Sequence, residues 1–107
     1  MSQDRVLSFL SLAAKAGKLA SGEFSTEKAV KEGRAHLVFV AGDASENTKK
    51  KFRNMCEFYE VPICFYADKD TLGHAMGKEF RASLAVVDES FAKGIIEKLN
   101  RMNETIA

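Results

Sequence analysis

A chain of 107 residues, 46% of them apolar, is sized for one compact domain with one core, and its body is too rich in Leu, Ile, Val and Phe to be intrinsically disordered. A formal net charge of +1 excludes attraction of nucleic acid by an overall positive field, so such a role needs a local basic surface. No apolar run reaches membrane-spanning length, no signal peptide is expected, and Cys56 and Cys64 sit in apolar stretches, which together lead to the expectation of a reduced, cytoplasmic setting.

In chain order, Val6, Leu7, Leu10, Ala13 and Ala14 recur at helical spacing after Ser2 and Asp4, which suit a helix start, and before Gly17, which suits its stop. Leu19, Ala20 and Ser21 leave room for a short strand. The next helix is opened by Gly22 and closed by Gly33, with Lys28 on its second turn. Leu37 to Ala41 reads as a buried strand, and the turn Gly42-Asp43-Ala44-Ser45 follows it. Phe52, Met55, Cys56 and Tyr59 mark the core stripe of a helix whose Lys49, Lys50 and Arg53 face away.

Pro62 introduces the strand Ile63-Cys64-Phe65-Tyr66, Asp68 can cap a short helix through Leu72, Ala75 and Met76, and Gly77 ends it. Ser83 to Val87 is the last strand. Asp88 or Ser90 caps a final helix with Phe91, Ile95 and Leu99 as its buried stripe. Alternating strands and helices imply an α/β protein, a three-layer α/β/α sandwich on a mostly parallel, mixed sheet of about four strands. One domain is expected over residues 1–99, followed by a polar tail, 100–107.

In open sheets, ligands bind beyond the carboxyl ends of strands, which directs attention to the turns at 21–25 and 42–45. The connection 77–82 enters a strand at its start, so the sequence does not place it with them. The helix opened by Gly22 offers unpaired amides and the positive end of its dipole to anionic or electronegative groups, or simply starts a surface helix.

Enzymatic chemistry finds little support. Gly17 and Gly22 have P-loop spacing, but Glu23 and Phe24 stand where the lysine and hydroxyl residue are required, which excludes nucleotide hydrolysis of that type. His36 and His74 are isolated and the cysteines lack paired spacing, so no metal site is expected. Asp43 and Asp88 follow apolar strands but suit helix caps better than catalysis, and no nucleophile has a base beside it. The run Lys49-Lys50-Lys51 with Arg53 reads first as a solvated helix face.

The order and spacing of three segments resemble one family: Gly22 to Gly33, Leu37 to Lys51 with its Ala44-Ser45-Glu46-Asn47-Thr48, and Leu72 to Gly77, with Gly77-Lys78-Glu79 adding to the likeness within it. It is the kink-turn RNA-binding ribosomal-protein superfamily typified by archaeal L7Ae, with the closest likeness to its small bacterial YlxQ-type members. The resemblance implies a non-enzymatic α/β/α domain, without cofactor or metal, that recognises a sharply bent RNA internal loop by its shape. It implies that Gly22, Glu23, Phe24, Ser25 and Lys28 enter the widened groove of that RNA, where other members carry Asn-Glu or Lys-Gln at the positions of Phe24-Ser25. It also brings the connection containing Lys78, Phe80, Arg81 and Ala82 to the RNA face, Phe80 serving either as a stacking surface or as core closure. Asp43 and Arg34 complete the expected RNA-facing set, Arg34 as a phosphate contact or a helix-end cap. The implied partners are structured RNA and ribosomal or other ribonucleoprotein components, with a protein-interaction adaptor on the same fold as the alternative.

Overall fold

The computed structural model describes residues 4–107. Ser2, named above as a helix start, lies outside the described residues. Asp4 does start the first helix: its carboxylate accepts the Leu7 amide at 3.0 Å, and α1 (Arg5–Lys15) buries Val6, Leu10 and Ala13. β1 (Leu19–Ser21), α2 (Glu23–Lys31), β2 (Leu37–Val40) and α3 (Glu46–Tyr59) follow. β3 (Ile63–Phe65), α4 (Lys69–Ala75), β4 (Ser83–Val86) and α5 (Glu89–Arg101) come after them. Ser45, Asp68 and Asp88 cap α3, α4 and α5, each side chain accepting the amide three residues on.

The four strands form one mixed sheet in the order β1-β4-β2-β3. The expected predominance of parallel pairing is corrected by the register. Only β2 and β3 run parallel, whereas β4 lies between β1 and β2 and runs against both, with Ala85 opposite Ala20 on one side and Val38 on the other. Burial explains why the sequence did not show this. Every residue of β2 and β4 is buried, and a strand covered on both faces is apolar throughout whichever way it runs.

Helices α2 and α3 pack on each other and on the sheet, while α1 packs against α4 and α5, giving the α/β/α sandwich. Phe39, Leu37, Leu84, Phe52, Leu10, Leu72 and Ile95 are fully buried between the layers. Tyr59, expected in the core stripe of α3, is instead 41% exposed; it ends the last turn of the helix and stacks edge-on against Phe58, just before Glu60 turns the chain through a left-handed conformation. Residues 100–107 do not trail away from the domain. α5 continues to Arg101, Ile106 packs on the core, and Ala107 exchanges both backbone hydrogen bonds with Ile63, covering part of the open edge of β3.

Candidate nucleic-acid interface

The reversal of β4 builds the site. Because β4 opposes β1 and β2, its first residue lies at the end of the sheet where those two strands finish, and the connection leading into it arrives beside the start of α2. The Gly22 amide donates to the Ser83 carbonyl at 2.9 Å, and the Ala41 amide donates to the Ala82 carbonyl at 2.8 Å. These bonds hold together an open groove of about 410 Å³ lined by Ser21, Gly22, Glu23, Phe24, Ser25, Phe80, Arg81 and Ala82. Two segments nearly sixty residues apart in sequence therefore form one surface.

Gly22 adopts φ 93° and ψ 162°, a conformation that a Cβ disfavours, and it has no side chain with which to cap α2. The first intrahelical bond runs from the Thr26 amide to the Gly22 carbonyl, so the amides of Glu23, Phe24 and Ser25 are left to solvent or a ligand. Around these donors stand Phe24, 79% exposed, and Phe80, 55% exposed. Arg81 is half-buried, its guanidinium donating to the Phe80 carbonyl at 2.7 Å. Lys28, exposed one turn further along α2, lines an adjoining recess of about 350 Å³ with Phe24, Glu27, Lys31 and Glu32.

Glu23 is not free to meet a ligand alone. Lys51 reaches from α3 to Glu23 at 2.9 Å and to Glu27 at 2.7 Å, and Lys31 holds Glu27 from the other side at 2.7 Å. The basic run on α3, expected as a solvated face, thus divides. Lys51 ties two helices together, Lys49 lies 3.5 Å from Glu46, and Arg53 covers the Phe65 ring at 5.0 Å. Hydrogen bonds from Lys31 and then Lys51 lower the Glu27 pKa from 4.5 to about 2, and the same network raises that of Lys51.

A carboxylate whose folded pKa is depressed stabilises the fold fully above its unfolded pKa, and that contribution fades as pH falls from about 4.5 toward 2. The raised Lys51 pKa acts oppositely, its contribution being lost only as pH climbs through the raised value. Lys51→Met is accordingly expected to flatten the fall in urea midpoint between pH 5 and 3; an unchanged slope would mean that the network does not couple to folding. The effect is small because the carboxylates remain in contact with solvent.

Asp43 does not lie in the groove, and it does not cap its own helix, α3, which Ser45 caps. Its Oδ1 accepts the Lys69 amide at 2.9 Å, and the Lys69 carbonyl accepts the Arg81 amide at 3.0 Å, so Asp43 braces the start of α4 and, one residue removed, the Arg81 connection. Asp88 caps α5 at 2.9 Å. Lys78 is exposed just beyond α4, its amide bonded to the Gly73 carbonyl at 2.8 Å. Arg34 stands past the opposite end of α2, about 15 Å away at the helical rise, and pairs with Glu32 at 2.9 Å, so the structure does not bring it to the groove.

One residue that shapes the groove was not singled out from the sequence. A Cβ on Gly73 would lie 2.4 Å from the Phe80 Cα and 2.8 Å from the Glu79 carbonyl oxygen, so this glycine lets the connection lie against α4. The only signal was a glycine inside a short helical pattern, where packing is a common reason for it. The thiols of Cys56 and Cys64 are buried, and burial pushes both pKa values up to about 11, which leaves them as unreactive core groups. Among the described residues no three His, Cys, Asp or Glu side chains converge on a metal-binding position, and no helix is long and apolar enough to cross a membrane.

Comparison with known proteins identifies the family. The model of the ribosomal protein L7Ae/L30e/S12e/Gadd45 family matches residues 4–96. The RNA-binding protein YlxQ of Bacillus subtilis is 41% identical over 91 residues, 85% of this chain and 91% of that protein. The protein of the same name from Enterococcus faecium is 38% identical, again over 85% of this chain and 87% of its own length. A solved structure of a Bacillus halodurans protein of unknown function superposes with a TM-score of 0.88 at 35% identity, covering 92% of this chain and 99% of that one. The 15.5kD RNA binding protein of Giardia lamblia shares the fold, with a TM-score of 0.77 at 20% identity over 96% of this chain and 92% of that one. With a family match over nearly its whole length and relatives 38–41% identical, the chain belongs to the ribosomal protein L7Ae/L30e/S12e/Gadd45 family, as a YlxQ-type member.

Proposed function

We propose that this protein binds kink-turn or similarly bent structured RNA in the cytoplasm, within ribosome- or translation-associated particles, and acts by holding the RNA's shape and not by bond chemistry. The observation that carries the reading is the single groove in which the uncapped start of α2 meets the connection at Phe80, Arg81 and Ala82. Amides at a helix start donate to electronegative base edges or phosphates, Lys28 and Arg81 supply positive charge, and the paired carboxylates of Glu23 and Glu27 are neutralised by Lys51 and Lys31. A net charge of +1 then suffices, because the attraction is local. Relatives with RNA-binding names over most of the chain support the same ligand class.

A gel-shift titration against a kink-turn RNA and a control with its G·A pairs disrupted tests this directly. Selective, saturable binding to the bent RNA is expected; equal and weak binding to both sinks the specific reading and favours the adaptor. In the same assay, Lys28→Ala is expected to weaken binding across RNA variants and to lower the slope of log affinity against log salt by about one, the signature of a lost phosphate contact. An unchanged slope with lost selectivity would instead make Lys28 a base reader.

A further inference from the structure

Phe24 lines both recesses of the surface, the one with Phe80 and Arg81 and the one with Lys28 and Lys31. It is 79% exposed; Phe58 on α3 is as exposed, at 78%, but lines neither recess. Leaving a phenylalanine in water forgoes roughly 1.5–3 kcal/mol of burial free energy, so its position needs a reason other than folding. The residue is also well placed to stay put, since its backbone belongs to the first turn of α2, anchored through the Thr26–Gly22 bond at 2.9 Å.

The charges that line the two recesses without an ion pair among the described residues, Lys28 and Arg81, are both positive, Glu23 being held by Lys51. In the Lys28 recess the carboxylates are already engaged, Glu27 by Lys31 and Lys51 and Glu32 by Arg34, whereas Lys28 has no ion pair among the described residues. In the other recess Arg81 has none either, and its guanidinium meets only the Phe80 carbonyl. An aromatic ring flanked by an available cation on each side matches the repeating chemistry of a nucleic-acid strand, in which flat bases alternate with phosphates. A docking protein would have to cover both cations along with the ring, which is costly unless it brings matched carboxylates.

We infer that Phe24 is a wedge that takes an unpaired nucleobase of a bent RNA against each of its two sides, with Lys28 and Arg81 meeting the flanking phosphates. The inference rests on the RNA-binding reading above and adds the mode of recognition: stacking at a position whose side chain cannot hydrogen-bond a base edge. Stacking tolerates any base, so shape and the presence of unpaired nucleotides would set specificity.

The test uses the full chain and a kink-turn RNA carrying 2-aminopurine at each unpaired position in turn, since stacking on an aromatic ring quenches that fluorophore. Binding of the natural protein is expected to quench two of these positions. Phe24→Leu is expected to abolish that quenching and weaken binding on the order of 10-fold without altering the salt slope, while Phe24→Trp preserves both. Because the ring is exposed, both variants should melt with the natural protein, which circular dichroism checks. If Phe24→Leu binds selectively with quenching intact, or loses affinity with quenching intact, the wedge is wrong while the RNA-binding reading stands. If the natural protein does not bind the bent RNA, both fall.

Discussion

Gly73→Ala is expected to destabilise the fold by about 1–3 kcal/mol and to weaken RNA binding with it, although alanine is the better helix former. Two effects oppose each other at this position in α4. Replacing a helical glycine with alanine gains roughly 1 kcal/mol of propensity. Against this, the new methyl would stand 2.4 Å from the Phe80 Cα, 2.7 Å from the Phe80 nitrogen and 2.8 Å from the Glu79 carbonyl oxygen. All three are backbone atoms, and the connection is tied down by the Arg81 amide on Lys69 and the Ala82 carbonyl on Ala41, so it cannot yield locally. The clash therefore wins, and the groove wall carrying Phe80 and Arg81 is what moves.

Gly94→Ala is the matched control. There the added methyl meets Cε2 of Phe9 at 2.6 Å, a half-buried ring that can rotate or tilt, so the propensity gain is expected to cancel most of the strain. Urea midpoints at constant m-value, together with RNA titrations, separate the two variants. If Gly73→Ala keeps both stability and affinity, the connection is not held against α4 and the groove is less defined than its geometry implies.

These cases show which parts of the molecule the sequence reveals. Apolar periodicity or apolar runs mark α1, α3, α5, β2, β3 and β4, and the glycines at 22 and 33 bracket α2; Asp4, Asp68 and Asp88 are capping signals of a few residues' span, whereas the α3 cap, suited in sequence to Asp43, falls to Ser45. Strand direction is not local. In a sheet covered on both faces, the apolar run Ser83-Leu84-Ala85-Val86 is the same forward or reversed, and only its pairing with β1 and β2 reveals that it is antiparallel.

That single reversal is what carries residues 80–82 to the start of α2, so the half of the groove that was hard to place from the sequence depends on the feature the sequence hides. The charge pattern is similar. Lys51 looks like its neighbours Lys49 and Lys50 in sequence, yet only helix packing turns it toward Glu23 and Glu27. Residues 21–25 and Lys28, by contrast, are continuous in the chain and were legible as one unit.

Thr26→Val is expected to stabilise the protein by about 1 kcal/mol, an outcome opposite in sign to most core substitutions. Thr26 and Ser83 are fully buried where α2 packs on β4, and the hydroxyl of each has no hydrogen-bond partner among the described residues. A buried donor or acceptor left unpaired carries a desolvation penalty of roughly 1–3 kcal/mol, and valine removes it while keeping the branched shape of threonine. Helix propensities of the two residues are close, so they do not decide the sign.

Ser83→Ala should gain less, because it removes an oxygen without filling its space. Thermal melts read the change as a rise of several degrees per kcal/mol for a domain of this size. A double-variant cycle reads the geometry: additive gains mean that the hydroxyls are unpaired independently, whereas a large coupling means that they satisfy each other. A loss of stability in Thr26→Val would show that this hydroxyl is bonded in solution. Because Thr26 lies beneath the surface that Gly22, Phe24 and Lys28 present, its RNA affinity should stay that of the natural protein, which separates the rigidity of α2 from the chemistry displayed at its start.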